Sequence, residues 1–431
     1  MSSGEHARLR STRYAPSVSG RARLDGRGRW GTIGAMTSMY GVDGSGSKYV
    51  AAAGALAREV LAAHAADVDA TGRFPAEAIE ALARSGLSGL FAPGQLGGGG
   101  QGPRVFAAVV EELARGCSSA AMIYVMHIAA SQVIAASITL DSRDTILREI
   151  AAGKHLTTLA FSESGSRSQF WAPISVLEPR DGGYVVSAQK SWVTAAHHAD
   201  SLVTSARCPG ASSAVDSVIY LVRPRAAEVR VKGTFNGLGL RGNDSAPVEI
   251  EGYQLGHRDL LTPMGDGTKL TLEVVVPWFC VGTAALANGL CMAAVEATAA
   301  HLGSAAFEHS GTLLRDLPTL RARLAEMSVR AQQARALLGH AVGELENPSP
   351  STTLALMQSR LAALQAAVDV TDLAMKTGGG AAYSKQLPVE RLFRDARAGW
   401  VMAPTVDHLQ DFIGRSLTGM PLIAALPDPA R

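Results

Sequence analysis

Apolar positions recur at intervals of three and four over residues 49–70, 75–86, 103–116 and 120–137, the spacing of helices that bury one face. The stretch "GRFP" separates the first two, with its proline placed to open the second helix. From residue 156 the period changes to two. Short segments such as "LTTLAFSE", "SLVTSAR", "SVIYLVR" and "APVEIEGYQL" are separated by Gly, Asp and Pro, which predicts a small antiparallel barrel or sandwich. From residue 270 the helical period returns over 270–303, 314–345, 351–378 and 388–400, with a last helix near 405–416. The chain is thus expected to be α+β and mostly α: a helical domain over 46–155, a β-domain over 156–260 and a helical bundle over 261–431.

Residues 1–45 are rich in Arg, Gly and Ser and show no apolar period, so they read as a disordered tail. They lack the apolar core of a secretory signal. Residues 274–295 carry no charge and are long enough to span a bilayer. Pro277, Asn288 and several Gly interrupt them, so a helix covered on all sides within a bundle is expected rather than a membrane span.

Composition sharpens the picture. Apolar residues make up 47% of the 431 positions and charged residues only 18%, which predicts surface buried in an oligomer, a homodimer or homotetramer. The net charge of +2 comes without a basic stripe, so no nucleic-acid partner is expected. The four cysteines are scattered with no Cys-x-x-Cys, which implies neither a disulfide framework nor a metal site, and a reducing cytoplasm. The loop "APGQLGGGGQG" follows a helix and lacks the Lys-Ser/Thr of a phosphate-binding loop.

Four stretches carry chemistry: "FSESGSRSQ" at 161–169, "AQKSWVTAAHHAD" at 188–200, "GLGLRGNDSAPVEIEGYQL" at 237–255 and "GGGAAYSKQLPVERLFRDAR" at 378–397. Their order and the helix–β–helix plan resemble the acyl-CoA dehydrogenase superfamily of flavoproteins. The first is similar to the family's Thr-Glu-Pro-Gly-x-Gly-Ser-Asp loop, matched at Glu163, Gly165 and Ser168; the second to its Gly-x-Lys-x-Trp-Ile-Thr-Asn strand. The resemblance implies FAD as cofactor, with FMN as a variant. It implies cofactor contacts at Phe161, Ser162, Glu163, Gly165, Ser168, Trp192, Val193, Thr194, Gly379, Gly380, Thr405 and Asp407. Trp192 and Thr194, two apart on a strand, would meet the flavin ring on one face. It implies an acyl thioester substrate, on CoA or on a carrier protein, near Ser168, His127, Ala403 and Pro404. An electron-transfer or flavin reductase partner is implied as well.

Departures from the pattern bear on the reaction. The catalytic Glu after the family's Arg-Asp-Ala-Lys is here Ala403, in Ala403-Pro404-Thr405. The alternative place on the long buried helix falls at Trp278 or Phe279, and the one acid nearby is Glu273. The Arg-Lys-x-Phe-Gly that anchors the FAD pyrophosphate becomes Phe307-Glu308-His309-Ser310-Gly311, and the Gln before the double glycine becomes Lys376 or Thr377. Lys376 would replace the lost cation from a neighbouring subunit. Abstraction of an α-proton needs a placed base. Three readings stay open: dehydrogenation with a relocated base (Glu273, Asp407 or His309), monooxygenation by reduced flavin and oxygen, and an altered, decarboxylating reaction in which carbon–carboxylate cleavage supplies the carbanion. A non-catalytic scaffold subunit is the lesser alternative.

Several residues read as structural. His127 is also a core histidine by its apolar setting, and His197 and His198 form a solvent pair. Glu111 and Glu112 are expected in solvent, Arg241 in a structural contact, and Arg394 with Asp395 in a pair or across a subunit contact.

Overall fold

The computed structural model describes residues 39–423. Most of the expected tail, residues 1–38, lies outside the described residues. Its last part is not a tail: Tyr40 is buried with its hydroxyl donating to Glu111, and Asp43 caps the first helix by accepting from the Ser45 and Gly46 amides at 2.9 and 3.0 Å.

The N-terminal helices are α1 (Gly44–Leu56), α2 (Ala62–Thr71), α3 (Ala76–Arg84), α4 (Pro103–Gly116), α5 (Ser118–Ala136) and α6 (Arg143–Ala151). Pro103 opens α4, where its missing N–H costs nothing. The first β-strands are β1 (Thr157–Ala160), β2 (Glu178–Arg180), β3 (Gly183–Val193) and β4 (Ser201–Arg207). They are followed by β5 (Ser217–Val222), β6 (Val229–Val231) and β7 (Ala246–Gly256). The strands form two sheets, ordered β1-β4-β5 and β2-β3-β7-β6. The sandwich reading holds, but it is not wholly antiparallel: β1 runs parallel to β4, with Thr157 beside Ser201.

The C-terminal bundle comprises α7 (Gly267–Leu270), α8 (Val276–Ser304), α9 (Pro318–Glu346), α10 (Thr352–Tyr383), α11 (Val389–Val401) and α12 (Val406–Leu417). The α8 helix is uncharged over most of its length because α4, α5, α9 and α10 cover it, so this one chain already buries its apolar surface. The α5 helix is likewise apolar all round and buried. Both are long and apolar enough to cross a membrane, and both are mostly buried inside the fold as core helices. The N-terminal helices and the bundle share one core, whereas the β-sandwich closes a second.

Glu111, expected in solvent, is buried: Arg335 lies 2.7 Å from it, and Asn288 donates to the Tyr40 hydroxyl at 3.2 Å. The expected Arg394–Asp395 pair does not form. Arg394 binds Asp69 and Glu390, while the Asp395 carboxylate accepts from the Leu240 amide at 2.7 Å. Burial pushes the Asp395 carboxyl up to about 6.

Candidate active site

A cleft of about 70 Å³ opens where the three domains meet. Met126 from α5 and Leu159 from β1 form one side, with Phe161, Ser162 and Phe170 from the loop that leaves β1. Trp192 from the end of β3 forms another. Val275 and Phe279, one turn apart at the start of α8, and Ala403, between α11 and α12, complete it. None of these nine side chains is ionisable, and their only O–H or N–H groups are the Ser162 hydroxyl and the Trp192 indole N–H.

Of the cofactor and substrate contacts singled out in the sequence, Phe161, Ser162, Trp192 and Ala403 are brought together on this cleft and the others are not. Glu163 turns inward. Its carboxylate lies 2.7 Å from Lys190 Nζ and accepts from the Ser175 amide at 2.9 Å, and from the Ser175 hydroxyl and the Ile174 amide. Burial is the largest single influence and raises its pKa, but the Lys190 charge and the hydrogen bonds from Lys190 and Ser175 together outweigh it and hold the carboxyl below its usual range. The Glu163 side chain is therefore a structural ion partner, not a cofactor contact. Val193 also turns inward, into the β-sandwich core.

Trp192 and Thr194 do not share an exposed face. A register shift between Lys190 and Val193 breaks the alternation, leaving Trp192 57% exposed while Thr194 is buried with its hydroxyl 3.3 Å from Ser245 Oγ. Gly165 and Ser168 lie on the loop before Phe170, Ser168 with φ of 69°.

His127 points away from the cleft. Its Nε2 meets the Ser88 carbonyl at 3.1 Å and its Nδ1 accepts from the Thr157 amide at 3.2 Å; burial pushes its pKa down to about 4. Its neighbour Met126 is the α5 residue that lines the cleft, one position away on a helix and so on a different face. Glu273 is exposed and outside the cleft lining, so the relocated base it stood for is not in place. Trp278 packs on Phe91 and Phe106, with centroids 4.4 and 5.7 Å away, while Phe279 reaches the cleft.

Thr405 caps α12, its hydroxyl accepting from the His408 amide at 3.3 Å, and Asp407 is exposed one position into that helix. Pro404 is buried. Lys376 pairs with Asp372 on its own helix at 2.6 Å. Gly379 and Gly380 are exposed where α10 breaks. Gly379 takes φ 51° and ψ −131°, and nothing stands within 4 Å of a Cβ built on either. The loop 305–313 folds back on itself through an Ala306–Leu313 bridge. It carries exposed Phe307, Glu308 and His309 and no arginine or lysine.

Sequence reasoning missed Arg360, which lies fully buried behind the cleft wall. The signal was available: in α10 it occupies a stripe of otherwise apolar residues, Leu356, Ala363, Leu364 and Ala367, where a charge is out of place.

An isoalloxazine needs a flat apolar surface, and an exposed tryptophan beside Phe161, Phe170 and Phe279 supplies one. The residues fit the ring end of a flavin; at loop 305–313 no cation waits for a pyrophosphate. Fold and cleft together define a flavoprotein oxidoreductase. The models of the acyl-CoA dehydrogenase N-terminal, middle and C-terminal domains match residues 47–154, 158–253 and 265–418. The short-chain specific acyl-CoA dehydrogenase of Bos taurus mitochondria is 28% identical over 77% of this chain and 80% of its own. Butyryl-CoA dehydrogenase of Megasphaera elsdenii superposes with a TM-score of 0.83 at 20% identity, over 88% of this chain and 99% of that one. The prolyl acyl carrier protein oxidase AnaB does so with a TM-score of 0.78 at 18% identity, over 87% and 99%. The chain belongs to the acyl-CoA dehydrogenase family and is a flavin-dependent oxidoreductase that uses FAD.

Proposed function

We propose that this enzyme oxidises an acyl thioester whose reacting carbon is activated without a carboxylate base from the cleft. The observation that carries the reading is the wall itself: Ala403 stands among eight other side chains, none of which can take a proton near neutral pH. The acyl group is read as sitting against Ala403 and Phe279, with the thioester carried on CoA or on a carrier protein. Bound FAD supplies the two-electron acceptor. The chain's own contribution is to orient the acyl group along an apolar wall, keep water from it, and offer the Ser162 hydroxyl as a polar contact.

The test is anaerobic mixing of the FAD-loaded protein with saturated acyl-CoAs of several lengths while flavin absorbance is followed. Slow or absent bleaching with butyryl- and octanoyl-CoA is expected. Rapid full bleaching by either would show that a working base exists and overturn the reading.

A second reading is favoured by the exposed Phe307 and Glu308 where relatives anchor the pyrophosphate, which suits a flavin that exchanges. It is oxygenation or oxidative decarboxylation with reduced flavin from a reductase partner. Substrate-dependent oxygen uptake with added reduced flavin separates it from dehydrogenation, which needs an electron-transfer partner instead. A homodimer or homotetramer in the cytoplasm is part of the same proposal.

A further inference from the structure

Buried cations in this protein keep a carboxylate. Lys190 has Glu163 at 2.7 Å, and Arg335 has Glu111 at 2.7 Å. Arg360 is the exception. It is fully buried on α10, and among the described residues no acidic side chain forms an ion pair with it. Its two terminal nitrogens donate to the carbonyls of Pro404 at 2.8 Å and Met402 at 3.0 Å, and its Nε has no partner. Burial pulls its pKa down, and the one group that offsets this is the Cys280 thiol, not an acid.

The position of this cation matters. The two carbonyls it holds flank Ala403, and its guanidinium carbon lies 5.0 Å from the centroid of Phe279. Ala403 and Phe279 both line the cleft. The charge therefore stands one layer behind the wall, at the place where the side chain of residue 403 is reduced to a methyl. A buried cation without an anion is costly, and two carbonyl dipoles offset that only in part. An anion delivered into the cleft would complete the pair, and the volume left beside Ala403 is where a carboxylate would sit.

We propose that the acyl chain itself carries that anion: the substrate is a short carboxyacyl thioester, its free carboxylate seated against Ala403 and Phe279 with Arg360 as counter-charge. The proposal rests on the thioester reading above and narrows its substrate class. Arg360 acts through the wall as a specificity residue and takes no proton.

The test uses the FAD-loaded protein and thioesters of pantetheine, the arm that CoA and carrier proteins share. Succinyl- and butyryl-pantetheine match in chain length and differ in one carboxylate. Their affinities are read from perturbation of the flavin spectrum. Wild-type protein is expected to prefer the succinyl thioester by about tenfold, the scale of a Coulomb attraction felt across one layer of wall in a partly desolvated site. Arg360→Lys should keep most of that preference, and Arg360→Met should bring the ratio near one. Equal affinities in the wild type overturn the proposal without any variant. So does an Arg360→Met protein that loses affinity for both thioesters in proportion, since that is what a residue merely pinning the 402–404 turn would do. Binding of neither thioester would overturn the thioester reading along with it, whereas equal binding of both leaves that reading standing.

Discussion

Lys190 Nζ lies 2.7 Å from Glu163 Oε1, and both side chains are shut off from solvent. Lys190 is tied at the same time to the Ser205 carbonyl at 2.9 Å, so the pair bolts β3 to the loop that leaves β1 and to the facing sheet. Removing one member would leave the other charge buried alone. Glu163→Gln is expected to destabilise the fold by about 3–5 kcal/mol, measured by denaturant unfolding. A variant that unfolds at the wild-type midpoint would show that the pair contributes nothing. The carboxyl is held below its usual range, so its contribution is present above the ordinary carboxylate pKa and fades as pH falls through the lowered folded value.

The same residue shows what the sequence conveys and what it does not. The helical and two-residue periods place the three domains and most strands, because each period reports one local face. The Glu in "FSESGSRSQ" is legible as significant. Its partner is not, since Lys190 lies 27 positions on and only the β-sandwich brings the two together. Trp192 and Thr194 follow the rule of alternate faces up to the register shift after Lys190, and no local pattern announces that irregularity. Met126, Leu159 and Phe170 are ordinary apolar residues whose place in the cleft comes from three domains meeting.

His127 gives a pH test. Burial pushes its pKa down to about 4, below the 6.5 of a free histidine. The unfolded chain therefore binds the extra proton first, and stability is lost as pH falls from 6.5 through 4. The full effect is about 3 kcal/mol as an upper figure. Asp395, raised to about 6 by burial, works in the opposite sense, since its contribution is lost as pH rises through 6. The comparison is thus between wild type and His127→Gln, in which Asp395 is common. The wild type should lose stability relative to the variant between pH 6.5 and 4. Parallel stability curves over that range would count against a neutral buried imidazole.

Trp192 leaves more than half its surface open among aromatic neighbours, an arrangement suited to a ring cofactor. Trp192→Ala is expected to lower FAD retention after gel filtration and to shift the flavin spectrum of what remains. Unchanged retention and spectrum would move the flavin away from this wall. Because loop 305–313 offers no cation, wild-type protein should itself lose part of its FAD on extended dialysis, and stoichiometric retention would contradict that expectation.

The α8 helix gives no reason for an oligomer, being covered within the chain. The reason lies on the outer bundle, where Tyr383 is 85% exposed, Val401 73% and Leu417 66%. Exposed Gly379 and Gly380 lie beside Tyr383 in the chain. A dimer or dimer of dimers is expected in sedimentation at micromolar concentration, and Tyr383→Lys with Val401→Lys should shift it toward monomer. A wild-type monomer would remove the case.

Ala403 offers the sharpest test of what a carboxylate in the cleft would add. The turn that presents it is held by Arg360 through both flanking carbonyls, so a longer side chain at 403 would start from a fixed backbone. Ala403→Glu would put a carboxylate into the cleft in front of a buried cation, which keeps that carboxyl ionised at neutral pH. A placed base contributes about 10²–10⁴-fold to proton abstraction. Ala403→Glu is therefore expected to raise the anaerobic bleaching rate with butyryl-CoA by at least about tenfold, the low end allowing for imperfect placement. Ala403→Gln, of the same size without the charge, should do nothing. The new carboxylate would also repel a substrate carboxylate, so the Glu variant should bind succinyl-pantetheine worse than the wild type does while the Gln variant is less affected. Bleaching that rises equally in the Glu and Gln variants would mean that residue 403 acts by shape, and that the absent carboxylate is not what sets the wild-type rate with butyryl-CoA.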